Sequence, residues 1–193
     1  MSRQKKVATQ PSFELARFVA LLKAHSWVEG AGSGLTPIQN QILGYLDHAN
    51  EFSRSPAALA SWVGSTRGTI SQTLKLLEAK NLVVREADPI DGRALRIDLT
   101  AAGRKIARSR AGFDSLATRL TRGMSKKEAN AFETGLNAAL RALELDGGHA
   151  HFVRCVNCEH FKMARSSGGT CALFDVNRSA RTQLDYCQHG EPN

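Results

Sequence analysis

Leu59-Ala-Ser-Trp-Val-Gly64-Ser-Thr-Arg-Gly-Thr-Ile70-Ser-Gln-Thr-Leu-Lys-Leu-Leu-Glu-Ala-Lys80-Asn-Leu82 reads as two short helices joined at Gly64. Ser55-Pro56 opens the first: serine caps it, and proline takes the first helical position, where its missing N–H costs nothing. The second runs from about Thr66 to Lys80. Ile70, Leu74 and Leu77 follow at i, i+4 and i+7 and form its core face. Its other face carries Thr66, Arg67, Thr69, Gln72, Thr73 and Lys75. No acidic residue occurs from Ser65 through Leu77, whereas an ordinary solvated helix mixes signs. Asn81 suits the left-handed stop after the helix.

A hairpin follows directly. Leu82-Val-Val-Arg-Glu86 and Arg93-Ala-Leu-Arg-Ile-Asp-Leu99 read as antiparallel strands, joined by the charged loop Asp88-Pro-Ile-Asp-Gly92. Two helices about a tight turn and then a hairpin give the order of a winged helix-turn-helix. Hydroxyls and amides can bond base edges, and Arg67, Lys75 and Arg93 can reach guanine or phosphate.

Working outward, Thr36-Pro37 repeats the cap-and-proline device before Ile38, Ile42, Leu43, Tyr45 and Leu46. Upstream, Ser12 starts a helix with Phe13, Ala16, Phe18, Val19, Leu22 and Trp27 on one stripe, and Gly30-Ala-Gly-Ser-Gly34 reads as a flexible break. Downstream, Thr100 caps a long helix to about Thr121, and Ser125 caps another to about Leu145. Ile106, Phe113, Leu116, Leu120, Phe132, Leu136, Leu140 and Leu143 make these two helices too apolar to stand beside a small core uncovered. A second copy of the chain is the expected cover, and a two-fold dimer reads a near-palindromic DNA site.

The chain has 193 residues and a net charge of +8, with 42% hydrophobic residues, enough for a core. The basic excess is +7 over residues 1–146 and +1 over residues 147–193, so it belongs to the part read as DNA-binding. No apolar run is long enough to span a bilayer, and the basic N-terminus lacks the core of a secretory signal, so a cytoplasmic place is expected. No glycine-rich nucleotide loop or defensible nucleophile–base pair occurs, so an enzyme or electron carrier is the least supported class and no catalytic residue is assigned.

These stretches resemble the MarR family of bacterial regulators over about residues 12–145. The matching residues are Leu35-Thr-Pro-Ile-Gln39, Leu59-Ala-Ser-Trp-Val63, Arg67 through Leu82, and above all Asp91-Gly-Arg93 followed by Leu99-Thr-Ala-Ala-Gly103. The resemblance implies a two-fold dimer built from the first and last two helices. It further implies a helix 66–80 in the major groove and Arg93 in the minor groove. Family members often bind small phenolic ligands, so a small-molecule effector is compatible. Asn81 stands where the family has glycine.

All four cysteines lie late, as Cys155-x2-Cys158-x12-Cys171-x15-Cys187. A cytoplasmic Cys-x-x-Cys with two further cysteines points first to a metal. Zinc ribbons usually have a second close pair, which is missing here, while four thiolates with one pair also suit an iron–sulfur cluster. A thiol switch is the third option. His160 and His189 are additional candidate ligands. Phe161, Phe174, Tyr186 and Gly168-Gly169 make residues 155–187 resemble the cluster-binding half of high-potential iron–sulfur proteins, which implies a [4Fe–4S] cluster in an apolar shell. Gly190 stands where that family has an aromatic residue.

The expected architecture is therefore mainly α (α+β). Residues 1–11 form a disordered basic arm. Residues 12–146 form a winged-helix DNA-binding and dimerisation domain with long helices. Residues 147–193 form a small four-cysteine metal- or cluster-binding segment, with Gly147-Gly148 as a hinge. The expected function is a DNA-binding transcriptional regulator, acting as a repressor, whose cluster senses redox or iron state; a structural zinc site is the alternative.

Overall fold

The computed structural model describes residues 13–88, 92–109, 118–147, 151–164 and 167–192. The expected arm, the Ser12 cap, the loop tip 89–91 and Phe113 and Leu116 lie outside them. The order is α1 (Phe13–Ser33), α2 (Pro37–His48), a 3-10 turn (Glu51–Ser53), α3 (Pro56–Val63), α4 (Arg67–Ala79), β1 (Val83–Ala87), β2 (Leu95–Leu99), α5 (Ala101–Ala107) and α6 (Lys126–Gly147).

Local chemistry explains most of these starts. Thr36 Oγ1 accepts from Gln39 N, and Gln39 Oε1 accepts from Thr36 N, a reciprocal box at the start of α2. Ser55 accepts from Ala58 N, Thr66 from Thr69 N, and Thr100 from Gly103 N. Ser125 and Glu128 form the corresponding box before α6. Between α3 and α4, Gly64 takes φ +65°, where a Cβ is strained, and Ser65 N donates back to Ala60 O. Asn81 takes φ +55° at the end of α4, the left-handed stop expected from the sequence.

Two expectations change. First, α1 runs through Gly30 and Gly32 to Ser33, and the left-handed stop falls at Gly34. Glycine costs a helix interior only about 1 kcal/mol relative to alanine, so it weakens a helix without ending it. Second, the helix begun at Thr100 ends at Ala107, and residues 118–121 are helical again. The Ser109 hydroxyl donates to Ile106 O and satisfies a carbonyl that a continuing helix would use.

Ile42, Leu43, Leu46, Leu59, Ile70, Leu74, Leu77 and Ile97 are fully buried together. Each contributes about 1.5–3 kcal/mol by leaving water. The wing closes on this core: Val83 pairs with Leu99 and Arg85 with Ile97, which turns Val83, Ile97 and Leu99 inward. Its base is clamped to the helix pair, as Ile97 N donates to Arg54 O at 2.8 Å and Arg54 Nη1 meets Asp98 Oδ1 at 2.6 Å. Gly103 lies against the backbone of Leu82; an added Cβ would stand 1.9 Å from its carbonyl oxygen.

The last segment is a small β module. β3 (Val153–Arg154) pairs with β7 (Tyr186–Cys187), and β4 (Phe161–Met163), β5 (Gly169–Cys171) and β6 (Val176–Arg178) form an antiparallel sheet. It is docked on the turn between α2 and α3. Asn50 N donates to Tyr186 O at 2.9 Å, Gln188 N donates to Ser53 Oγ at 3.0 Å, and the Phe52 and Phe174 rings stack at 3.8 Å. Phe152 and Tyr186 pack on Trp62. Of the expected hinge, Gly147 closes α6 and Gly148 lies outside the described residues, while the module shares a packed surface with the winged helix.

Candidate nucleic-acid interface and cysteine centre

The outer face of α4 holds most of the residues expected there. Thr66, Arg67, Thr69, Gln72 and Lys75 are exposed. Thr66 and Thr69 join their hydroxyls at 2.9 Å over the helix start. Thr73 is the exception. It is 7% exposed, and its hydroxyl donates to Thr69 O at 2.8 Å, so it belongs to the inner boundary of the helix. Ser71 was missed: it is exposed, and with Arg67 and Lys75 it lies on one line at four-residue spacing. Only the 3.6-residue period, counted from Arg67, could have picked it out. The first acid after this face, Glu78, is held by Arg85 Nε at 3.1 Å. Arg93 is exposed where the wing enters β2. Arg96, behind it, is committed to Glu86 and Asp98 at 2.7 Å each.

The four cysteines come from separate elements and converge. Cys155 begins the 3-10 turn after β3, Cys158 ends that turn, Cys171 ends β5 and Cys187 lies on β7. All four are unpaired and buried, and they line one cavity with Asn50, His160, Phe161, Leu173 and Gly190. Gly190 is there for room: an added Cβ would lie 3.3 Å from Cys158 Sγ, which accounts for glycine where an aromatic residue was expected. Phe161 lines the cavity, whereas Phe174 and Tyr186 are spent on the docking surface. His189 faces Phe52 O at 3.2 Å, away from the sulfurs.

Burial pushes the Cys155 thiol up to about 11 and the Asp185 carboxyl up to about 6, with Arg178 opposing both. That disfavours a free thiolate at Cys155. A compensating cation does fit. Tetrahedral zinc with bonds of about 2.3 Å holds its sulfurs about 3.8 Å apart. Glu159, His160 and Glu191 also bring three potential ligand atoms within 4.8 Å of one another beside the cavity. Cys155, Cys158, Cys171 and Cys187 would equally hold a four-iron cluster.

Residues 33–94 match the model of the MarR family. The structure is similar to the Staphylococcus aureus regulator MepR in its DNA-binding conformation, with a TM-score of 0.61, 26% identity, and coverage of 69% of this chain and 98% of that one. It is also similar to the S. aureus MepR–DNA complex, at 0.57 and 25%, with the same coverage. The Rhodococcus jostii RHA1 protein CouR bound to p-coumaroyl-CoA shares the fold at 0.57 and 23%, covering 66% of this chain and 89% of that one. No curated protein matches the chain. The fold is therefore that of winged-helix regulators such as MepR, and residues 33–94 carry the likeness to the MarR family. The MepR structures are covered almost entirely, so about a third of this chain has no counterpart in them. No described helix is long and apolar enough to cross a membrane.

Proposed function

We propose that the chain works as a homodimeric repressor whose four cysteines hold an iron–sulfur cluster, of the [4Fe–4S] type, that reports redox or iron state to DNA. The observation that carries this reading is the convergence of Cys155, Cys158, Cys171 and Cys187 on one buried cavity set against the α2–α3 turn of the DNA-reading head. The lack of a second close cysteine pair, which zinc ribbons usually have, supports a cluster over zinc. When bound, the cluster supplies a one-electron change of charge and sensitivity to oxidants.

The chain's own residues divide the remaining work. Arg67, Lys75 and Arg93 neutralise phosphates or take guanine, while Thr66, Thr69, Gln72 and the newly placed Ser71 present hydroxyls and an amide to base edges. Thr73 supports the helix from within. Dimerisation is supported by apolar side chains left open in the single chain: Phe13, Leu15, Val19 and Leu21 on α1, and Leu136, Leu140 and Leu143 on α6. MepR has been captured with DNA, and this chain is read as binding a near-palindromic duplex in the same manner. CouR's acyl-CoA makes a small effector a compatible second input.

The test is anaerobic purification followed by iron, sulfide and zinc analysis and an optical spectrum. The expected protein is brown, with iron and sulfide in equal amounts. It binds DNA with different affinity before and after removal of the cluster. A colourless protein with one zinc per chain would replace sensing by a structural staple.

A further inference from the structure

Asn50 belongs to the winged helix, yet its side chain forms part of the wall of the cysteine cavity. It is 1% exposed. Its Nδ2 points to Cys155 Sγ at 4.0 Å, the outer reach of an N–H···S contact. Its Oδ1 is buried without a hydrogen-bond partner, and its backbone N–H is tied to Tyr186 O, one residue before Cys187. A buried amide aimed at sulfur is well matched only when that sulfur carries negative charge, as a metal-bound thiolate does.

The next residue extends the connection. Glu51 Oε2 takes Arg178 Nη1 at 2.7 Å. The Arg178 guanidinium lies 5.5 Å over the Phe52 ring. Arg54, three residues beyond Glu51, holds Ala49 O and Asp98 of the wing, and Ser55 then caps α3. One short connector therefore touches the cysteine centre at one end and positions both the helix pair and the wing at the other.

Resting on the function proposed above, we infer that Asn50 is a positioning residue of the cysteine centre, and that the ligation and charge of Cys155 act through it on the connector Asn50–Arg54 and so on the placement of α3 and α4. Information then passes from the tail to its own chain's DNA-reading head across this contact, independently of the link through residues 148–150.

The test uses full-length protein purified anaerobically and two near-isosteric variants lacking the donor, Asn50→Leu and Asn50→Asp, with Asn50→Gln as the conservative rescue. Three quantities are measured: iron and sulfide per chain, the midpoint potential of the cluster, and the ratio of DNA affinities with and without the cluster. The probe is a duplex selected by the wild-type protein from a random-sequence library. The inference expects a lower potential in both donor-less variants, because a lost donor to sulfur disfavours the more negative reduced state. It also expects the affinity ratio to shrink at least fivefold toward one, with partial recovery in Asn50→Gln. Unchanged potential and ratio in Leu and Asp variants that still hold the cluster overturn it. A shifted potential with an unchanged ratio overturns the coupling to DNA. Loss of the cluster from Leu and Asp but not Gln supports the positioning role. Wild-type protein without iron and sulfide sinks the proposed function and this inference together, whereas failure in the variants alone leaves the function standing.

Discussion

Glu51 and Arg178 meet at 2.7 Å across 127 positions of sequence, and they join the winged helix to the cysteine module. The two partners are unequally placed. The Arg178 side chain is 3% exposed with Nε and Nη2 buried and unmatched, whereas that of Glu51 is 41% exposed. Removing the acid strands a buried cation. Glu51→Ala should therefore loosen the module by about 2–3 kcal/mol, below the usual cost for a wholly buried pair because Glu51 is partly solvated. Arg178→Met, which removes the charge and keeps the apolar stem, should cost less. Hydrogen exchange of β5 and β6 measures both; equal protection in wild type and Glu51→Ala would exclude the contact as a docking element.

The same pair gives the docking a pH dependence. Burial alone would raise the Glu51 carboxyl, but the hydrogen bond and charge of Arg178, a backbone hydrogen bond and the charge of Arg54 together outweigh it and hold the group below its ordinary 4.5. A depressed carboxylate contributes stability that is complete above the unfolded value and is lost as pH falls through the folded one. The contribution of Glu51 should therefore hold from neutral pH down to about 4.5 and be lost below it, while the raised Asp185 carboxyl adds protection as pH falls through about 6; Glu51→Gln should remove only the loss below 4.5.

Gly103 predicts a stability loss far from both sites. A Cβ there would stand 1.9 Å from Leu82 O and 2.9 Å from Leu82 C, both backbone atoms at the entry to the wing. Neither can rotate away. Gly103→Ala should cost about 2–3 kcal/mol, a fall in melting temperature on the order of 5–10 °C. Thermal unfolding by circular dichroism would show it; an unchanged midpoint would mean that α5 and β1 are less closely apposed.

Lys75 and Thr73, two residues apart on α4, should behave differently. Lys75 is exposed, so Lys75→Ala should weaken DNA binding across sequences and lower the salt slope by about 1. Thr73 is turned inward, so Thr73→Val should cost about 1 kcal/mol of stability through the lost bond to Thr69 O and leave the salt slope unchanged. Fluorescence anisotropy titrations at several salt concentrations separate the two; an altered slope for Thr73→Val would place it at the DNA.

Leu140 tests the dimer. It is 46% exposed on α6, between Leu136 and Leu143. Leu140→Glu puts a charge into the expected interface and should shift the protein to monomer in sedimentation velocity, with DNA affinity down at least about tenfold. A variant that stays dimeric would move the interface off this stripe.

The winged helix was legible in the residues because its determinants are local. A hydroxyl at Thr36, Ser55, Thr66, Thr100 or Ser125 satisfies an N–H only three residues on, and the strand alternation at Val83–Ala87 and Leu95–Leu99 repeats every two. The cysteine spacing likewise grouped Cys155, Cys158, Cys171 and Cys187, which line one cavity. Periodicity was less decisive where a residue sits at the margin of a face: Thr73 and Gln72 are neighbours of similar polarity, and only the packing of α4 on the core turned one in and left the other out.

By itself, the sequence determined most helix starts, the wing and the basic outer face of α4, each through interactions spanning a few residues. Only the tertiary structure decided that the four cysteines surround one cavity, and that Asn50, Glu51, Phe52 and Ser53 form the surface on which their module sits. Those contacts bridge 105 to 135 positions. At that range no spacing rule applies, because the pairing is set by which buried donors, rings and charges find complements once the two parts close on each other.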